Sequence, residues 1–94
     1  MTKIAIIGAG AMGGAIATGL LNNGYDASNL TVADPSDKVV GHFAALGAAA
    51  TTDNASAITD ADMVMVVVTP WLVEKVLSGI RGKLRYDSQT GVVL

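Results

Sequence analysis

A short apolar run, Ile4 to Ile7, passes without a break into Gly8-Ala9-Gly10-Ala11-Met12-Gly13, and a helix-compatible run follows. The run has the length and β-branched content of a buried strand. Strand, tight glycine turn and helix in immediate succession leave the chain few choices of fold. Each glycine of this G-x-G-x-x-G pattern has its own task. Gly8 permits the turn out of the strand, Gly10 lacks a Cβ and lets a phosphate approach the backbone, and Gly13 lets the helix pack closely on the sheet. The first amides of the helix have no intrahelical partner and carry the positive end of its dipole, which suits a diphosphate.

Neighbouring readings of the pattern are weighed by the residues around it. A phosphate-binding P-loop ends in Gly-Lys-Ser/Thr, whereas Gly13-Gly14-Ala15 offers neither lysine nor hydroxyl. A flavin site shares the fingerprint and stays open, and a methyl-donor site fits the third glycine less well. A second apolar strand, Leu30 to Ala33, ends at Asp34, 21 residues after Gly13. An acid at about that distance holds the adenosine ribose of a dinucleotide. The plainer alternative for Asp34 is a turn acid before Pro35.

The rest of the chain alternates in the same manner. Ala11 to Asn23 reads as a helix with Ile16, Leu20 and Leu21 inward and Gly24 past its end. Tyr25 to Asn29 reads as a loop. Ser36 starts a second helix that places Val39, Val40, Phe43 and Leu46 on one face, and Gly47 ends it. Ala48 to Ala50 is a small third strand, and Thr52-Asp53 caps a short helix through Ala57. Met63 to Val68 is a continuous apolar strand suited to burial on both faces. Thr69 caps a fourth helix with Pro70 at its first position and Trp71, Leu72, Val76 and Ile80 as its stripe. Gly91 to Leu94 begins a fifth strand. The alternation implies an α/β fold, a doubly wound parallel sheet of Rossmann type in order 3-2-1-4-5 with right-handed crossovers. Its ligand would sit at the carboxyl ends of strands one and four. Residues 1–94 read as one dinucleotide-binding domain, and the abrupt apolar end suggests truncation before a further domain.

Composition narrows the classes. Of 94 residues, 51% are hydrophobic and 15% charged, enough apolar content for a core and too little charge for disorder. A net charge of −2 and the lack of a basic cluster argue against nucleic acid. There is no cysteine, so thiolate chemistry and disulfides are excluded, and no metal-ligand spacing exists. No apolar run spans a bilayer, and glycines interrupt the N-terminal run that a signal peptide would need. A soluble, cytoplasmic protein is the default.

With these residues in view, the chain resembles the N-terminal domain of the pyrroline-5-carboxylate reductases over essentially its whole length. The markers are Ile7-Gly8-Ala9-Gly10-x-Met12-Gly13, Ala15-Ile16, Gly19-Leu20-Leu21, Gly24, Asp53-Asn54, and Asp60 to Pro70, which is similar to the family's DADVVILAVKP segment. F420-dependent NADP oxidoreductases and β-hydroxyacid dehydrogenases share the first motif. The resemblance implies hydride transfer from NADP or NAD to the C=N bond of pyrroline-5-carboxylate, giving proline. It also implies a C-terminal helical domain, absent from this chain, that makes a homo-oligomer and completes the substrate site. No catalytic residue is then expected here, because the cofactor carries the chemistry. By the same resemblance Ile7 to Met12 wrap the pyrophosphate, Asn54 contacts the nucleoside, and Val67, Val68, Thr69 and Pro70 lie beside the nicotinamide half. The family has lysine where Thr69 stands, and Ser, Asn or Arg where this chain reads Asp34-Pro35-Ser36-Asp37-Lys38. A non-catalytic nucleotide-binding module is the competing class.

Asp34 decides which dinucleotide fits. Its carboxylate accepts a bond from a 2′-hydroxyl, whereas a 2′-phosphate about 4 Å away meets repulsion of order 4 kcal/mol at an effective dielectric near 20. Lys38 and the Ser36 hydroxyl offset this if Asp34 turns away, so dual use is the expectation. Other conspicuous residues have plain readings. His42, Glu74 and the Arg81-Lys83-Arg85 cluster read as solvated or packed, Asp60 and Asp62 as turn chemistry, Met63 and Met65 as core, Met12 as packing beneath the cofactor, and Trp71 as packing.

Overall fold

The computed structural model describes residues 3–59, 61–68, 70–80 and 91–93. Five parallel strands stand in the order β3-β2-β1-β4-β5, the order read from the sequence. They are β1 (Ile4–Ile7), β2 (Leu30–Ala33), β3 (Ala49–Thr51), β4 (Met63–Val66) and β5 (Gly91–Val93). Ile7 is level with Ala33 on one side and Val66 on the other. The connections are α1 (Ala11–Asn22), a 3-10 turn at Ala27–Asn29 followed by β2, α2 (Asp37–Ala45), α3 (Asn54–Ala57) and α4 (Pro70–Ile80).

Two-residue alternation sends side chains to two cores, one on each face of the sheet. Ile6, Leu30 and Val32 pack with Ala17 of α1 and Phe43 of α2, with Ile16, Leu20, Leu21 and Met65 against them. Ala5, Ile7, Val64 and Val66 pack with Ala57 and Ile58 on the opposite face, backed by Val76 and Leu77 of α4. β1 is therefore covered on both faces, and the chain leaves it in one direction to β2 and returns on the other side at β4. That reversal opens a crevice at the carboxyl ends of β1 and β4.

Several sequence expectations shift. β4 ends at Val66, not Val68. The Val67 amide still donates to the Ile7 carbonyl at 2.8 Å, and Val67 and Val68 bury against opposite cores, so apolarity outlasts the strand. β3 starts at Ala49 rather than Ala48. Within the expected Thr52-Asp53 pair it is Asp53 that caps α3, its carboxylate accepting the Ala55 amide. Leu46 and Leu72 are exposed rather than inward, Leu46 because α2 stops at Ala45 and Leu46 is its C-cap. Asp62, expected to act within a turn, accepts the Lys3 amide at 2.9 Å, a bond that ties the residue before β4 to the residue before β1. Expectations for Asp60, Thr69, Arg81, Lys83, Arg85 and Leu94, and for the side chains of Trp71 and Ile80, lie outside the described residues. Among the described residues no helix is long and apolar enough to cross a membrane.

Candidate functional site

The glycine turn joins β1 to α1 at the crevice. Gly8 has φ +93°, a conformation that L side chains rarely adopt. Space is equally restrictive, because a Cβ there would run into the Val67 carbonyl oxygen and lie 2.8 Å from Val68 Cγ1. A Cβ on Gly13 would run into the Gly8 carbonyl oxygen, with the Gly8 carbonyl carbon at 2.8 Å. Gly10 differs: a Cβ there would meet nothing within 4 Å. Two glycines are thus required by the protein's own packing, and the middle one faces open space.

The helix start has a matching chemistry. α2 is capped by Ser36, whose hydroxyl accepts the Val39 amide, and α3 by Asp53. α1 begins at Gly10 with no capping side chain and no acid in its first turn. The Gly10 carbonyl accepts the Gly14 amide at 2.8 Å, so the helix is regular from its outset. Its leading amides are a site for an anion that the chain itself does not supply.

Asp34 is held by two backbone amides. Its Oδ2 accepts the Ala9 amide at 2.9 Å and its Oδ1 accepts the Ser36 amide at 2.9 Å. The Ser36 bond, two residues on, is the turn role that the sequence offers for Asp34 beside a ribose contact. In the structure it braces the glycine turn against the β2–α2 loop. Charge-assisted bonds to two backbone amides hold it there.

A cavity of about 440 Å³ opens at the crevice, and Ile7, Gly8, Pro35, Asn54 and Val68 line it together. These five expected site residues come from four separate stretches of sequence. Ala9 and Gly10 instead border a wider groove of about 670 Å³ between α1 and α2, with Lys38 and His42. The smaller cavity is the better candidate because it lies at the strand ends where the winding reverses. Ser36 is committed to capping α2, Val67 turns toward the α1–α2 core, and Ala11 and Pro70 open α1 and α4. Met12 is 69% exposed beside the turn, open to a bound ligand. Gly13 occupies the sheet-facing position, and the preceding residue points outward.

Sequence reading missed the far wall of the cavity, formed by Leu72, Lys75, Val76 and Gly79 of α4 and by Thr52 and Asp53. The spacing of the four α4 positions, i, i+3, i+4 and i+7, marks one helical face and was the available signal. Titration shifts lie elsewhere. Burial raises the Tyr25 hydroxyl, and the Ser28 amide and hydroxyl lower the Asp26 carboxyl. Both residues precede β2, at the opposite end of that strand from the crevice.

Comparison with known proteins gives a consistent picture. The family model described as "NADP oxidoreductase coenzyme F420-dependent" matches residues 3–93. A pyrroline-5-carboxylate reductase of Vibrio alginolyticus is 43% identical over 75 residues, covering 79% of this chain and 28% of that protein. One from Corynebacterium melassecola is 35% identical over 95 residues, covering 100% of this chain and 35% of that protein. The solved structure of a pyrroline-5-carboxylate reductase from Coxiella burnetii superposes with a TM-score of 0.85 at 30% identity, over 90% of this chain and 32% of that one. The chain thus spans about a third of the length of the relatives it matches.

Proposed function

Because the chain belongs to the F420-dependent NADP oxidoreductase coenzyme family, we propose that it is the nicotinamide-dinucleotide-binding part of a pyrroline-5-carboxylate reductase. The carrying observation is the uncapped start of α1 beside Gly10, whose missing Cβ leaves open space. The residues fit the cofactor. Backbone amides from Gly10 to Gly13 receive the diphosphate, and Gly8 and Gly13 keep the turn close enough to the sheet to present them. The cavity lined by Pro35, Asn54 and Lys75 takes the nucleoside. Val68 and Pro70 lie on the nicotinamide side.

When bound, the reduced nicotinamide supplies a hydride to the C=N carbon of pyrroline-5-carboxylate. The chain's own part is binding and orientation, which is why it needs no acid–base pair. In this reading the small-molecule substrate is held by a helical domain outside residues 1–94, in a homo-oligomeric, cytoplasmic protein. The names of the Vibrio and Corynebacterium relatives favour this substrate over other members of the family. Titration with NADH and NADPH, followed by amide chemical shifts, tests the reading. The expected changes fall on residues 8–13 and Asn54. Changes confined to another face of the sheet would overturn it. Oxidation of the reduced dinucleotide by the whole protein, dependent on pyrroline-5-carboxylate, tests the substrate.

A further inference from the structure

We propose that Met12 is an oxidisable site at the glycine turn: a hydroperoxide converts its thioether to the sulfoxide when no dinucleotide is bound, and the sulfoxide then weakens dinucleotide binding. The inference rests on the reading of this turn as a dinucleotide site. Met12 is 69% exposed at the second residue of α1, beside leading amides that no side chain caps. The other described methionines stand apart. Met63 and Met65 are half-buried in β4, which is flanked by β1 and β5, and Met65 packs against the core under α1 and α2. The chain has no cysteine, so no thiol of its own competes for the oxidant. Oxidation of a sulfur side chain follows its exposure, which singles out Met12.

The step balances with hydrogen peroxide as the sole co-reactant. A sulfur lone pair attacks one peroxide oxygen, the S–O bond forms as the O–O bond breaks, and the sulfur gives up two electrons. The departing hydroxide takes the proton of the transferred oxygen and leaves as water. An apolar side chain has then become a polar one. Its new oxygen lies as many bonds from the backbone as the side-chain oxygen of glutamine, which reaches back to open amides at a helix start. A thioether is only a weak acceptor, and the first turn of α1 holds no acid, so before oxidation the chain offers the leading amides little. The sulfoxide supplies an acceptor that competes with the diphosphate and stands in its approach. A bound dinucleotide covers the sulfur in turn, so oxidation and binding oppose each other.

The test treats the protein with hydrogen peroxide, with and without saturating oxidised dinucleotide, and follows each methionine by peptide mass spectrometry. Trypsin cleaves after Lys3, Lys38 and Lys75, so peptide 4–38 carries Met12 and no other methionine, and peptide 39–75 carries Met63 and Met65. Met12 should oxidise at least about three-fold faster than either, and dinucleotide should slow it by at least about as much. After removal of the peroxide, fluorescence titration with NADH and NADPH should show affinity at least about five-fold weaker, and a methionine sulfoxide reductase should restore it. The melting temperature should stay within about 3 °C, since the residue is exposed; a larger fall would assign the loss to unfolding and overturn the inference. Met12→Gln should bind weakly without any peroxide. Met12→Leu, compared with itself before and after peroxide, should lose no affinity, and a loss there would place the effect on another residue. The inference is also overturned if Met12 oxidises no faster than Met63 and Met65, if dinucleotide gives no protection, or if the oxidised protein binds as tightly as the untreated one. Failure of the untreated protein to bind either dinucleotide would overturn the reading of the site itself.

Discussion

Adding one methyl group at Gly13 and at Gly10 separates folding from binding. In Gly13→Ala the new Cβ meets the Gly8 carbonyl group, its oxygen inside contact and its carbon at 2.8 Å, with Val67 Cβ at 3.4 Å behind. Carbon atoms rest at about 3.5–4.0 Å, and the nearer carbonyl oxygen is deeper inside contact than the carbon, so α1 must move by more than about an ångström. Neither obstacle that it meets first is a flexible side-chain end. Overpacking typically costs about 1–3 kcal/mol, and a backbone obstacle puts this site near about 3 kcal/mol. For a domain of this size that lowers the melting temperature by roughly 12–24 °C. Gly10→Ala meets nothing within 4 Å, so its melting temperature should stay within about 3 °C of wild type. Its dinucleotide affinity should nevertheless fall at least about ten-fold, because the methyl occupies the approach of the diphosphate. Thermal circular dichroism and a dinucleotide titration on the same samples give both numbers. Equal melting temperatures for Gly13→Ala and wild type would refute the packing argument. Unchanged affinity in Gly10→Ala would refute the diphosphate argument.

Three further outcomes follow from the geometry. Phe43 is 3% exposed and anchors α2 to the sheet beside His42, whose ring meets it edge-on at 4.9 Å; Phe43→Ala should cost about 3–5 kcal/mol in denaturant unfolding. Ser36→Ala removes the cap of α2 and should cost about 1 kcal/mol in the same assay, with Ser36→Gly costing only a few tenths. The Asp26 carboxyl, bonded first by the Ser28 amide and then by its hydroxyl, is held below the ordinary aspartate range. Its folded value being depressed, it stabilises above the ordinary range, and that contribution is lost as pH falls through the depressed value. A carbon NMR titration should show the low midpoint in wild type, and Asp26→Asn should remove this part of the acid dependence. A midpoint at or above the ordinary value would mean that the Ser28 bonds do not persist.

Strand order was legible because it depends on local signals repeated along the chain: short β-branched runs, a glycine or a cap at each junction, and the handedness of parallel crossovers. The asymmetric glycines of the turn were legible for the same reason. What escaped depended on contacts far apart in sequence or on where an element stops. The run from Met63 to Val68 is uniformly apolar, and nothing within it marks Val66 as its last ladder residue. Leu46 obeys the helical period of α2 but lies just past its end. The bond from Ala9 to Asp34 and the place of Lys75 in the cavity wall exist only once the sheet is assembled.

The glycine turn is held from two sides by different strands, and this accounts for how a turn with so few side chains can be rigid. On the β4 side, Gly8 is pressed against the Val67 carbonyl and Val68. On the β2 side, the Gly8 amide donates to the Ala33 carbonyl at 2.8 Å and the next amide, Ala9, donates to Asp34. Both neighbours flank β1 only because the winding reverses there. The amides of Gly8 and Ala9 are thereby committed to the protein, and those at the start of α1 are left for an incoming anion. Preorganised donors of this kind hold an anion without paying to be ordered at the moment of binding.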